Sequence, residues 1–397
     1  MTRLGDVCEK IGSGATPRGG KEAYKDAGIP IIRSQNIHDW VFQPDGLAFL
    51  DGEQAESLSN VEVRSNDVLL NITGDSVARA CIVPSERIPA RVNQHVAIVR
   101  AGKEINPTYL LASLQSKKTT LLSLASSGAT RNALTKRMIE NLDIDLPSRE
   151  MQDSIAQVLD SIQYKITLNN RLNDYLFELV SSVFAHRFSD NVNTTELKNV
   201  LSISTKALKP QEHADEIWEH YSIPAFDEKH RPIFEPASGI KSNKYQIDSG
   251  CILISKLNPS TKRIWMPCCS SNNAVCSTEF IVYRPYLKEY KSFYYAAIDS
   301  PRFTDYLLEH VSGSTGSRQR AQPKDTLNYL MPNPDNEEIK DFCTFADPIY
   351  RHIQINEQQT AKLELLRETL LPKLMSGAID VSKVDLTQLT NNHLSDC

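Results

Sequence analysis

No apolar run in the 397-residue chain approaches eighteen residues, so no segment is long enough to cross a bilayer as a helix. The opening Met1-Thr2-Arg3-Leu4-Gly5-Asp6 lacks the apolar stretch of a signal peptide. The eight cysteines include no C-x-x-C pair, and in a chain of this length they read as reduced thiols of a cytoplasmic protein with no membrane partner. With 16 Gly, 20 Pro, 40% hydrophobic and 23% charged residues, the composition is neither collagen-like, disordered nor elongated helical. That leaves a soluble globular chain too long for one ordinary core, hence two or three domains.

Catalytic signatures are missing as well. Gly14-Ala15-Thr16-Pro17-Arg18-Gly19-Gly20-Lys21 fails the phosphate-loop spacing, with Ala15 in place of the first Gly and Glu22 in place of the hydroxyl. It reads as a turn whose backbone N–H groups face some phosphate. Pro334-Asp335 and Glu338-Ile339-Lys340 have the residue types of a metal-dependent nuclease, but lie too close together for ligands on adjacent strands. Acidic residues are in any case expected at a helix start. Cys268, Cys269 and Cys276 lack the paired spacing of a zinc site, and no Gly-x-Ser-x-Gly or methyl-donor glycine fingerprint is present. The chain is expected to hold no metal, no cofactor and no catalytic residue.

The net charge of −5 is carried mostly by one segment. Lys+Arg against Asp+Glu count 17 and 17 in residues 1–148, 4 and 5 in 149–187, 17 and 16 in 188–333, and 6 and 11 in 334–397. The two large segments are therefore close to neutral and can each carry a basic face. They also repeat. At offsets of 185 to 187, Gly128-Ala129-Thr130 falls on Gly313-Ser314-Thr315, Pro147 on Pro332, Asp160 on Asp347 and Asn169 on Asn356. Upstream, Asn66-Asp67-Val68-Leu69-Leu70 matches Ser249-Gly250-Cys251-Ile252-Leu253.

Each copy ends in a long glycine-free stretch with 3-4 spacing, the seam of a helix packed along another helix. In the first copy the seam includes Ile162, Ile166, Asn169, Asn173, Leu176 and Val180; in the second, Ile349, Ile353, Asn356, Thr360, Leu363 and Arg367. Both turn polar at Asn169/Asn173 and Asn356/Thr360, and buried polar residues of this kind specify register and partner at some cost in stability. Ser148 and Asp335 or Asn336 supply cap signals. Pro348 and Pro372 should kink the second helix or break it. Short connections imply an antiparallel pair. The globular parts read as loop-rich α+β, with strands over 29–32, 67–72 and 95–99 and helices over 109–114 and 293–298.

Several local signatures, taken in order with the repeat, resemble the specificity subunit of a type I restriction–modification system over residues 1 to about 380. "GDVCEKIGSGATP" (Gly5–Pro17) with "GIPIIRSQNI" (Gly28–Ile37) is similar to the opening of a target recognition domain. "SGCILISKLNPSTKRIW" (Ser249–Trp265) and "FIVYRP" (Phe280–Pro285) resemble a second type of such domain, and "LRETLLPKLMSGAIDVS" (Leu366–Ser382) the family's closing segment. The resemblance implies two mixed α/β target recognition domains, 1–148 and 188–333, separated by antiparallel helices at 149–187 and 334–378, with a polar tail at 379–397 and an internal pseudo-two-fold repeat. It further implies a non-catalytic subunit whose two domains each read one half of a split asymmetric target in double-stranded DNA.

By the same resemblance, the helices set the spacing between the halves and dock two adenine-N6 methyltransferase subunits. S-adenosylmethionine belongs to those partners, and ATP and Mg2+ to the restriction subunits. Base reading calls for Arg or Lys, Asn or Gln, and small hydroxyls on exposed loops. The candidates in the first domain are Thr16, Arg33, Gln35, Asn36, His38, Arg79, Thr130, Arg131 and Asn132. Those in the second are Lys256, Asn258, Lys262, Arg263, Thr315, Ser317, Arg318, Gln319 and Arg320. The rival readings are an assembly scaffold that reads no DNA and a stand-alone nucleic-acid-modifying enzyme.

Overall fold

The structure, a computed structural model, describes residues 1–126, 132–191, 193–312, 319–379 and 381. The chain divides into two units, Met1–Thr167 with Ala361–Cys397, and Leu168–Thr360.

In the first unit, eight strands form two sheets: β1 (Cys8–Ser13), β2 (Ile29–Ile32), β3 (Ala48–Leu50), β4 (Glu62–Val63), β5 (Val68–Asn71), β6 (Ala80–Ile82), β7 (Ala90–Val92) and β8 (Val96–Ala101). One sheet has the antiparallel order β1-β8-β5-β6. The other runs β3-β2-β7-β4, with β2 and β7 parallel. Strand β5 is apolar on both faces because it is buried on both. Val68 and Leu70 pack with Val99, Leu110 and Ile162, whereas Leu69 packs with Ile31, Val92 and Ile98 of the sheet-to-sheet core. Each such side chain contributes about 1.5–3 kcal/mol on burial. Beside these sheets lie α1 (Pro107–Ser116), capped by the Asn106 side chain, and α2 (Arg149–Phe188).

The second unit repeats this plan. The strands of its two larger sheets are β9 (Leu201–Ser204), β10 (Ala207–Leu208), β11 (Ile217–Tyr221), β12 (Ile233–Pro236), β13 (Lys244–Gln246), β14 (Ile252–Ser255), β15 (Ile264–Trp265), β16 (Ala274–Ser277) and β17 (Phe280–Pro285). The orders β9-β17-β14-β15 and β10-β13-β16-β11-β12 match those of the first unit strand for strand, with β10 added at one edge. The parallel pair recurs as β11 and β16. Its helices include α3 (Lys291–Asp299) and α4 (Asn336–Met375), and α2 and α4 each contribute to both units.

The pairing register corrects the repeat by one residue. Val68 sits opposite Val99 and Ile252 opposite Tyr283, an offset of 184 on both strands. Ile252 and Ile254 face the helical layer and Leu253 faces the other sheet, as Val68, Leu70 and Leu69 do. The equation of Val68 with Cys251 would turn each side chain to the wrong face.

Within the first unit, Ile155, Leu159, Ile162 and Ile166 of α2 are buried in the same core as Leu371 and Leu374 of α4, with Leu363 half-buried against it. There Arg367 donates from Nη1 to Gln163 Oε1, and its guanidinium lies 5.1 Å over the Trp40 ring. Within the second unit, Val180, Phe184 and Phe188 pack with Phe342, Tyr350 and Ile353, and Leu176 and Ile349 pack at the margin. Asn169 donates from Nδ2 to Gln359 at 2.8 Å and to Thr360 at 3.4 Å, and Asn356 donates to Asn173 Oδ1 at 2.8 Å. The helices run antiparallel.

Helix α4 runs unbroken through Pro348 and Pro372. An interior proline removes one N–H bond, and buried neighbours on both sides, Ala346 and Tyr350, Leu371 and Leu374, keep the helical path. Asp335 is the cap of α4: its Oδ1 accepts from the Glu337 and Glu338 N–H groups at 2.9 Å, and Glu338 Oε2 accepts from the Asp335 N–H at 3.3 Å. Among the described residues no group of three or more His, Cys, Asp or Glu could hold a metal ion, and no helix is long and apolar enough to cross a membrane.

Candidate nucleic-acid interface

Antiparallel and parallel pairing together bring a defined set of loops to one end of each unit. In the first unit that end holds the exits of β1, β2, β5 and β7 and the entries of β6 and β8. The segments 14–19, 33–47, 72–79 and 93–95 are therefore neighbours. Gly14 makes the closest approach. A Cβ there would stand 2.1 Å from Val92 O and 2.3 Å from Asn93 O. The Gly14 and Ala15 N–H groups donate to Val96 O and Val92 O, so these two are spent on the fold and do not face a phosphate.

Side chains stitch the loops together. Thr16 Oγ1 donates to Gln94 Oε1 at 2.5 Å, Gln94 Nε2 lies 3.0 Å from His95 Nε2, and His95 Nδ1 lies 2.7 Å from Thr73 Oγ1. Asn71, fully buried, donates to Ser34 O and Ser76 Oγ and so joins the 33–47 and 72–79 segments. The bond from Gly74 N–H to Asn132 O brings Asn132, which is exposed, to the same end.

Of the sequence candidates here, Thr16 and Gln35 are exposed, and Arg33, His38 and Arg79 are half-buried. Arg33 Nη2 donates to Gly46 O at 2.5 Å, Gln35 Nε2 donates to the same oxygen at 3.2 Å, and the Arg33 guanidinium lies 5.5 Å over Tyr24. Asn36 is a correction. It is fully buried, donates to Gln43 O and Asp45 O, and accepts from the Arg33 N–H. Its amide shapes the turn and presents nothing to a ligand. His95 also belongs to the turn before β8 and not to the strand. Thr130 and Arg131 lie outside the described residues.

The equivalent end of the second unit holds segments 205–206, 256–263, 278–279 and 319. Lys256 N–H donates to Glu279 O, Ala321 N–H to Lys256 O, and Asn258 N–H to Gln319 O. Lys256, Asn258, Gln319 and Arg320 are thus gathered, with the Lys256 ammonium 5.7 Å over the Tyr245 ring and Arg320 paired to Glu279 at 3.3 Å. Burial holds the Lys256 ammonium below its usual range. Lys262 and Arg263 differ. Lys262 binds Asp299 through both Oδ1 and the carbonyl, and Arg263 clasps Asp227 at 2.6 and 2.9 Å. Their charges are already answered by carboxylates, so neither is a free base-reading group. Thr315, Ser317 and Arg318 lie outside the described residues.

Sequence reasoning passed over Asn71, Thr73, Gln94 and His95. The one available signal was a polar triplet, Asn93-Gln94-His95, wedged between two apolar strands.

Residues 1–176 match the family model for the type I restriction modification DNA specificity domain. A protein of Methanocaldococcus jannaschii named as the specificity subunit of the type I restriction enzyme MjaX is 23% identical over 178 residues, which make up 43% of this chain and 41% of the relative. The match thus spans less than half the length of that relative. The crystal structure of the type I restriction–modification S subunit from M. genitalium aligns with a TM-score of 0.58 over 94% of this chain and 95% of its own, at 14% identity, a likeness of fold. Residues 1–176 thus carry the family's DNA specificity domain, and the chain shares the doubled fold of a type I restriction–modification S subunit.

Proposed function

We propose that this chain is the non-catalytic DNA-reading subunit of a type I restriction–modification complex. Each unit reads one half of a bipartite target in double-stranded DNA through the loops at its strand ends. The observation that carries this reading is that one sheet topology, used twice, presents the same set of loops with different side chains. Two readers of different half-sites need a common scaffold and unlike contact residues. Arg33, Gln35 and Arg79 in the first unit, and Lys256, Asn258, Gln319 and Arg320 in the second, supply the residue types that base edges and phosphates call for.

The long helices, with a register specified by buried amides, are suited to keep the spacing between half-sites constant and to dock two adenine-N6 methyltransferase subunits. S-adenosylmethionine would be bound by those subunits, and ATP and Mg2+ by the restriction subunits that join them.

The test is duplex binding by the assembled chain and methyltransferase subunits, measured against randomised DNA at several salt concentrations. The reading predicts enrichment of one two-part sequence, with affinity falling steeply with salt as phosphate contacts are lost. Assembly without any sequence enrichment would leave only a scaffold.

A further inference from the structure

We propose that Gln94 is the adenine-reading residue of the first half-site, with Thr16 and His95 as positioning residues; this rests on the DNA-reading function proposed above. Gln94 stands at the apex of the turn between β7 and β8, where the parallel pair of one sheet meets the antiparallel ladder of the other. Its side chain is exposed, yet both ends of the amide are held: Oε1 accepts from Thr16 Oγ1 at 2.5 Å, and Nε2 lies 3.0 Å from His95 Nε2.

The network sets the direction of each bond. Thr16 donates to Oε1, so the amide nitrogen faces the imidazole and donates to His95 Nε2. The other imidazole nitrogen then carries the proton and donates to Thr73 Oγ1, 2.7 Å away. An amide has two N–H groups and two carbonyl lone pairs. One of each is used within the protein, which leaves one N–H and one lone pair for a ligand. One donor and one acceptor are what adenine N7 and N6 call for in the major groove, where Gln binds bidentately. Holding the side chain in advance removes part of the rotamer entropy that a free glutamine would lose on binding.

The chain passes close beneath the network at Gly14, where only a hydrogen in place of Cβ allows it to pass Val92 O at this distance. Thr16 follows two residues later and is thereby brought to the Gln94 amide. In the second unit the offset of 184 places Thr278 and Glu279 at the corresponding turn. The scaffold is kept and the reading group is changed, as two different half-sites require.

The experiment measures the affinity of the full chain with its methyltransferase subunits for a panel of duplexes in which each base pair of the target is replaced in turn. Gln94→Ala should reduce discrimination at a single A·T pair of the first half-site by roughly 5- to 150-fold, the range of one bidentate base contact, and leave the second half-site and the salt slope unchanged. Gln94→Glu, which keeps the shape and offers only acceptors, should move the preference at that position toward cytosine, and His95→Ala should weaken the same position alone. A Gln94→Ala complex that discriminates like the wild type at every position, or that weakens equally for every duplex in the panel, would overturn the assignment. A wild-type complex with no preference for any duplex would overturn the DNA-reading function itself, and this inference with it.

Discussion

Asn356 donates its side-chain N–H to Asn173 Oδ1 at 2.8 Å, deep in the seam of the second unit. The neighbouring bond, from Asn169 to Thr360, is its mirror in the repeat, because Asn169 corresponds to Asn356 and Asn173 to Thr360. Each residue of one helix meets the counterpart of its neighbour on the other, the pattern of a two-fold contact within one chain. A slip of either helix would strand these amides in an apolar interface.

The costs of replacing the two partners should therefore not add. Asn356→Leu leaves the Asn173 amide buried without its donor and should destabilise by about 1–3 kcal/mol, whereas Asn173→Leu with Asn356→Leu should cost less than the sum of the two. Denaturation midpoints of the four proteins of this cycle test the coupling.

The second unit's basic residues should separate into two groups. Arg263 is committed to Asp227 at 2.6 and 2.9 Å, so Arg263→Ala should change specific DNA affinity by less than about twofold. Arg320 keeps a side chain 56% exposed, and Arg320→Ala should lower it by about 1–3 kcal/mol at the second half-site only. Competition binding with half-site variants distinguishes them.

Burial also decides between two ion pairs at equivalent strands. Arg100 binds Asp67 with side-chain exposures of 11% and 0%, whereas Arg284 binds Asp248 with 35% and 59%. Asp67→Ala leaves a nearly buried guanidinium with only the distant Glu9 carboxylate, at 3.9 Å, to answer its charge, and should cost about 3–5 kcal/mol. Asp248→Ala removes a solvated pair worth about 0–1 kcal/mol. Thermal unfolding of the two variants provides the comparison.

Gly14→Ala should fail locally. A methyl group 2.1 Å from Val92 O forces the strand exit away from the β7–β8 turn, at about 1–3 kcal/mol of overpacking. Reading of the first half-site should be lost while the second half-site is still discriminated, as a base-substitution panel would report.

The helices were legible because a 3-4 period over many turns has no competing interpretation. Ile162, Ile166, Asn169, Ile353 and Asn356 are all buried. The strand register was not. Val68, Leu69 and Leu70 are all fully buried, so no alternation marks which face is which, and a repeat can be aligned one residue out without any apolar residue looking misplaced. At the loop end, residue type alone singled out Asn36, whose amide is consumed by Gln43 O and Asp45 O, and passed over Gln94, whose amide is held at the surface. Hydrogen bonds between segments as distant as Thr16 and Gln94 leave no trace in local pattern. The commitment of Lys262 to Asp299 was hidden for the same reason.

The proposed DNA-reading role is put to the test by modified-base sequencing of DNA from cells carrying this chain with the proposed methyltransferase subunits, compared with cells lacking the chain. The account predicts N6-methylated adenines in one bipartite motif with an unspecified gap of constant length, present only with the chain. Assembly of the complex with no new methylated motif, or methylation of a single contiguous sequence, would contradict it.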